Sequence, residues 1–157
     1  CNLDCLFCPK TERAKHRLSL DEFELLTDKL IGKVEFLYFH LMGEPFLHPL
    51  LPQFIQIARQ KNFIPVLTTN GTLLSKAQGV IEARPHKIQI SLHSHEGNAK
   101  EHPEEYIHQV MTFAQEAASQ GILIVLRLWN EGGYDTTNDY IQDLIAQHNI
   151  QQAKQNE

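Results

Sequence analysis

After Cys8 the chain has no cysteine; the three it contains stand at positions 1, 5 and 8 of 157 residues. That absence excludes a disulfide framework spread through the fold, and any second cysteine-rich segment that would hold an auxiliary cluster within these residues. Long apolar runs are missing too, and no charged, apolar and small-residue leader opens the chain, so neither a spanning helix nor a secretory signal is expected. The expectation is a soluble cytoplasmic protein, where thiols stay reduced. Nor is there a basic patch. The formal charge is −5, with the two signs interspersed, so nothing recruits nucleic-acid phosphate. Methionine is absent from the first position, where Cys1 stands, and residues are therefore expected to precede it in the parent protein.

Hydrophobic residues make up 42% of the chain, enough for one domain with a real core and too few residues for two. Its opening, Cys1-Asn2-Leu3-Asp4-Cys5-Leu6-Phe7-Cys8, reads C-x3-C-x2-C. Thiolates this close in sequence are a ligand set rather than core packing. An iron–sulfur cube is normally held by four cysteines, so three leave one iron open to a substrate or cofactor. Zinc is the competing reading. It needs a closed tetrahedral shell, for which His16 or Asp4 would be the fourth ligand, though neither completes a paired knuckle. A disulfide would strand one thiol. Spacing alone leaves all three readings open.

The remainder alternates between element types. Ser19 and Glu22 stand at capping-box spacing and open a helix predicted to about Gly32, with Phe23, Leu26 and Leu30 on one face. Further helices are predicted over Leu50 to Gln60, Ser75 to Ala83, Pro103 to Gln120 and Thr136 to Gln147. Apolar runs at Val34 to His40, Phe63 to Thr69, Lys87 to Leu92 and Ile122 to Trp129 predict strands, several of them buried on both faces. Asn70-Gly71 could close a hairpin, but Ser75 and Gln78 form a second capping-box pair and favour a strand–turn–helix crossover. Such alternation predicts an α/β fold with a parallel sheet.

In such sheets ligands sit at the carboxyl ends of the strands. Those ends carry His40-Leu41-Met42-Gly43-Glu44-Pro45, Thr68-Thr69-Asn70-Gly71, Ser91-Leu92-His93-Ser94 and Arg127-Leu128-Trp129-Asn130. All four are polar. His40, His48 and His95 read as substrate-lining or structural residues rather than metal ligands.

The cysteine loop, Gly43-Glu44-Pro45 and Thr69-Asn70-Gly71 together resemble the radical S-adenosylmethionine (radical SAM) enzymes, from Cys1 to about Asn130. The resemblance implies a partial (β/α) barrel, with residues 1–157 forming one core-domain fragment and residues 1–10 its cluster loop. It also implies a [4Fe–4S] cluster on Cys1, Cys5 and Cys8, with S-adenosylmethionine chelated to the open iron. An electron from the cluster then cleaves the sulfonium to a 5′-deoxyadenosyl radical, which abstracts hydrogen from an inert carbon. By the same resemblance Phe7 lies near the adenine, Gly43, Glu44 and Pro45 receive the methionine amino group, and Asn70 belongs to the third cofactor motif. Ser91 and His93 meet the ribose, and Arg127 pairs with the methionine carboxylate. Met42 replaces the first glycine of the commoner Gly-Gly-Glu-Pro form. The strand leading into the cysteine loop and a sixth unit after Gln147 are not present, so an open sheet edge is expected. The implied partners are a peptide, protein or small-molecule substrate and an electron donor such as flavodoxin or ferredoxin. A radical SAM RNA methylase is a lesser variant, disfavoured by the acidic balance, and a non-catalytic zinc module is the alternative class.

Overall fold

The computed structural model describes residues 1–5, 8, 9, 12, 14, 16–92, 103–128 and 136–155. Phe7 and His93 lie outside the described residues, as do His95, Trp129 and Asn130.

Four parallel strands, β1 (Phe36–Phe39), β2 (Ile64–Thr69), β3 (Lys87–Ser91) and β4 (Leu123–Arg127), form one sheet in chain order. Tyr38 stands beside Val66, Val66 beside Lys87 and Lys87 beside Leu123; at the carboxyl end Ser91 stands beside Arg127. Helix α1 (Leu20–Leu30) precedes β1, and α2 (Leu51–Gln60), α3 (Gln78–Ala83) and α4 (Pro103–Ser119) lie between successive strands. Helix α5 (Thr136–Gln155) follows β4 and runs past the predicted end at Gln147. This is an open α/β sheet of the partial-barrel kind.

The helices cover one face of the sheet. Leu67, Ile88 and Ile90 are fully buried against Val80, Ile107 and Val110, and Ile124 and Leu126 pack on the same cluster. A second cluster joins α1, α2 and the lead into β2 through Phe23, Phe54, Ala58 and Phe63; the rings of Phe23 and Phe54 stack at 4.3 Å. Each of these phenylalanines contributes about 1.5–3 kcal/mol by leaving water. On the opposite face Phe36, Tyr38, Leu123 and Arg127 are exposed, and Lys87, Gln89 and Ser91 are half-buried. The expectation of strands buried on both faces is thus corrected: alternation gives them one covered face, and only β2 comes close to full burial.

Two local readings also change. The capping box at Ser19 and Glu22 forms, with Glu22 N–H donating to Ser19 Oγ and Ser19 N–H to Glu22 Oε2. Yet Leu26 is exposed, and the buried position is Thr27, whose hydroxyl donates to the Phe23 carbonyl. A threonine that satisfies itself on its own helix loses little by burial. The second capping box does not form. Ser75 lies in a 3-10 turn over Leu74–Lys76, and α3 starts after Ala77 with no side-chain cap. Buried Ala77, Val80 and Ile81 hold that short helix instead, and the strand–turn–helix crossover stands.

Helices α4 and α5 meet through His108 and buried His148, their Nδ1 atoms 3.2 Å apart. Burial, and secondarily the His108 charge, push His148 below the usual imidazole range. No helix among the described residues is long and apolar enough to cross a membrane.

Candidate cofactor site

The strand ends carry the site because parallel strands deliver consecutive turns to the same edge of the sheet. After β1 the chain reaches Gly43 and Glu44, and Glu44 caps a 3-10 turn over Pro45–Leu47. The Glu44 side chain is only 6% exposed and turns inward. Its Oε1 accepts from Phe46 N–H at 3.1 Å and from the Thr69 hydroxyl at 2.8 Å; Oε2 accepts from Asn70 N–H at 2.8 Å. The carboxylate therefore ties the end of β1 to the end of β2. Burial pushes its pKa above the usual carboxylate range, against the opposing pull of these three donors. A Cβ built at Gly43 would meet nothing within 4 Å, so the backbone there borders open space.

The turn after β2 is held from every side. Gly71 N–H donates to Thr69 Oγ1, and the Tyr106 hydroxyl, from α4, reaches the carbonyls of Asn70 at 2.8 Å and Ser91 at 3.3 Å. Gly71 has φ +74°, and a Cβ there would lie 2.9 Å from Tyr106 Oη and 3.0 Å from Ile90 Cγ2. Strain and collision act together at this position. Gly71→Ala is expected to lower stability by about 2 kcal/mol in urea denaturation; an unchanged midpoint would contradict the placement of Tyr106 over this turn.

The cysteine loop reaches the same turn. Asn70 Nδ2 donates to Cys1 Sγ at 3.7 Å and to Asn2 Oδ1 at 2.9 Å, and Asn2 Nδ2 donates to Thr72 Oγ1 at 2.8 Å. All three cysteines are free thiols, with Cys8 N–H donating to the Cys5 carbonyl at 3.3 Å. Among the described residues no three His, Cys, Asp or Glu side chains are gathered as a metal site. The donors nonetheless suit an iron–sulfur cluster, being closely spaced thiols on an irregular loop beside a buried amide donor. His16, the zinc alternative, is instead within 3.2 Å of Glu22 at the start of α1.

Of the residues expected at the site, Cys1, Glu44 and Asn70 form one connected network. Ser91 joins it through its carbonyl and Tyr106, while exposed Arg127 stands opposite Ser91 on the neighbouring strand. A cavity of about 340 Å³ lies against Gly43-Glu44-Pro45, lined also by Arg17, Phe39 and His48. His48 accepts from Leu50 N–H through Nδ1, and burial pushes its pKa down. Exposed His40 packs edge-on against Tyr38. Asn2, Thr72 and Tyr106 were invisible to sequence reasoning as site residues, since their partners lie 36–70 positions away.

A strand-end network beside three clustered cysteines, on an open parallel sheet, defines a class of cofactor-binding α/β proteins. The model of the radical SAM superfamily matches residues 1–136, and the chain belongs to that superfamily, whose members use a [4Fe–4S] cluster and S-adenosylmethionine. The chain is 34% identical over 103 residues to a GTP 3′,8-cyclase of Chlorobaculum tepidum, covering 59% of this chain and 29% of the relative. It is 33% identical over 79 residues to an Fe-coproporphyrin III synthase of Methanosarcina barkeri, covering 48% of this chain and 20% of that protein. It thus spans less than a third of either relative's length.

Proposed function

We propose that this chain is the cofactor-binding part of a radical SAM enzyme that abstracts hydrogen from a small-molecule or peptide substrate. The observation that carries the reading is the junction of the cysteine loop with the Gly43-Glu44-Pro45 and Asn70-Gly71 turns through Cys1, Asn70 and Glu44. When bound, the cluster and S-adenosylmethionine would supply the electron and the carbon-centred radical.

The residues of this chain then divide the work. Cys1, Cys5 and Cys8 would ligate iron; the three are not gathered as a metal site among the described residues, so binding would have to draw them together. Glu44 holds its motif in place, its own carbonyl and that of Pro45 being taken by Leu47 and His48 N–H, and the exposed Gly43 backbone accepts from the methionine ammonium. Ser91 meets the ribose, and Arg127 offers a guanidinium to the methionine carboxylate. The opposite sheet face, exposed at Phe36, Tyr38 and Leu123 among the described residues, is offered to the substrate. Strand alternation puts Lys87 on it beside Gln89, and no carboxylate of the four strands shares it. One relative is named for GTP, a small molecule.

Anaerobic reconstitution with iron and sulfide tests the reading. The expected result is a cluster whose electron paramagnetic resonance spectrum, once reduced, changes when S-adenosylmethionine is added. Stoichiometric zinc with no iron uptake would overturn it in favour of a metal module.

A further inference from the structure

The side chains of Asn2, Asn70 and Thr72 close a ring whose proton positions are fixed by one donor. Thr72 N–H can only donate, and it donates to Asn70 Oδ1 at 3.0 Å, so the Asn70 amide nitrogen must face the cysteine loop. From there the bonds run in one direction. Asn70 Nδ2 donates to Asn2 Oδ1 at 2.9 Å, Asn2 Nδ2 to Thr72 Oγ1 at 2.8 Å, and the Thr72 hydroxyl to Asn70 Oδ1 at 2.7 Å. Asn70 Nδ2 has a second hydrogen, and it is directed at Cys1 Sγ.

The anchor for this ring is rigid. Asn70 is 8% exposed; its N–H is held by Glu44, and its carbonyl by Tyr106. Asn2, by contrast, is exposed and sits between Cys1 and the rest of the loop. The ring therefore fastens a loop with little packing of its own to a turn braced by three elements.

We propose that Asn70 is a positioning residue for the cluster: through Asn2 and Thr72 it clasps the cysteine loop to the turn after β2, and through Nδ2 it donates to the Cys1 sulfur. The inference rests on the reading of Cys1 as an iron ligand. A donor to a cluster sulfur stabilises the more negative, reduced state, so it raises the reduction potential. Asn70 thus sets how readily the cluster accepts an electron as well as where Cys1 sits.

Two measurements test this, one of which needs no metal. In the apo protein, urea denaturation of Asn2→Ala, Thr72→Val and the double variant should be non-additive, the pair costing less than the sum of the single losses. Strict additivity would overturn the clasp. In the reconstituted full-length protein, Asn70→Ala should move the cluster's midpoint potential to more negative values, while Thr72→Val, which keeps the amide donor, should move it less. Equal potentials for Asn70→Ala and wild type would overturn the tuning. Should Asn70→Ala fail to fold, Asn70→Ser, which lacks the amide hydrogens but keeps a small polar side chain, takes its place with the same expected direction. If the wild type loads no cluster, the ligand reading and the tuning fall together, and the clasp is still decided by the apo cycle.

Discussion

Glu44→Ala is expected to destabilise the protein by about 4 kcal/mol, because truncation orphans three donors that the fold has already removed from water. Two are main-chain N–H groups, of Phe46 and Asn70, and the third is the Thr69 hydroxyl. None can turn to solvent without dismantling the end of β1 or β2. Glu44→Gln should cost less, about 1–2 kcal/mol, because one oxygen remains while an amide N–H₂ now faces a donor. The pH dependence separates the two causes. Burial raises the Glu44 pKa, so the native state binds this proton more tightly than the unfolded chain does. Its contribution to stability is then full below the unfolded pKa and declines as pH rises through the folded one. The glutamine variant should lack that decline. Urea midpoints measured across the acidic range check both points; a Glu44→Ala midpoint equal to wild type would show that the carboxylate is not the tie between the strands.

Cys5→Ala is expected to abolish cluster loading while leaving the fold intact. Cys5 is half-buried, and its backbone carbonyl accepts from Cys8 N–H, a contact that alanine keeps. Neither core cluster of the described residues includes a cysteine, so the sheet's packing does not depend on this side chain. Removing one of three thiolates from the ligand set leaves two irons without protein donors, too few to retain a cube. Iron and sulfide analysis after reconstitution, with far-ultraviolet circular dichroism as the control, reads both halves. Full iron loading of the variant would show that the triplet is not the ligand set.

The strands were legible because each is a short run of Val, Ile, Leu or aromatic residues closed by turn chemistry, and their order followed from the alternation with helices. Their ends were less so. β2 and β3 are one residue shorter than their predicted spans and β1 and β4 three, since pairing covers less than the apolar run does. Leu26 illustrates the limit of periodicity: its place on the apolar stripe of α1 was right by spacing, yet Thr27 faces the core because its hydroxyl bonds within the helix. Ser75 failed for the opposite reason, since cap spacing was present but Leu73 and Leu74 pack on the core first.

At the site, the motif positions were readable and the orientation of their side chains was not. Gly43-Glu44-Pro45 read as a ligand turn, and nothing local indicated that the Glu44 carboxylate would be consumed by Thr69 and Asn70, 25 and 26 residues away. Asn2 looked like a spacer between two cysteines. Its function as a link depends on Thr72, a partner set by the fold and not by any pattern within the loop.

On the reading proposed above, these turns and cysteines assemble a centre that cleaves S-adenosylmethionine. The most direct measurement supplies the anaerobically reconstituted full-length protein with dithionite and S-adenosylmethionine and quantifies 5′-deoxyadenosine by chromatography, with the Cys5→Ala variant as the blank. Formation of 5′-deoxyadenosine in the wild type and none in the variant is the predicted result. A loaded, reducible cluster that yields no 5′-deoxyadenosine above the blank would show that the centre does not cleave S-adenosylmethionine.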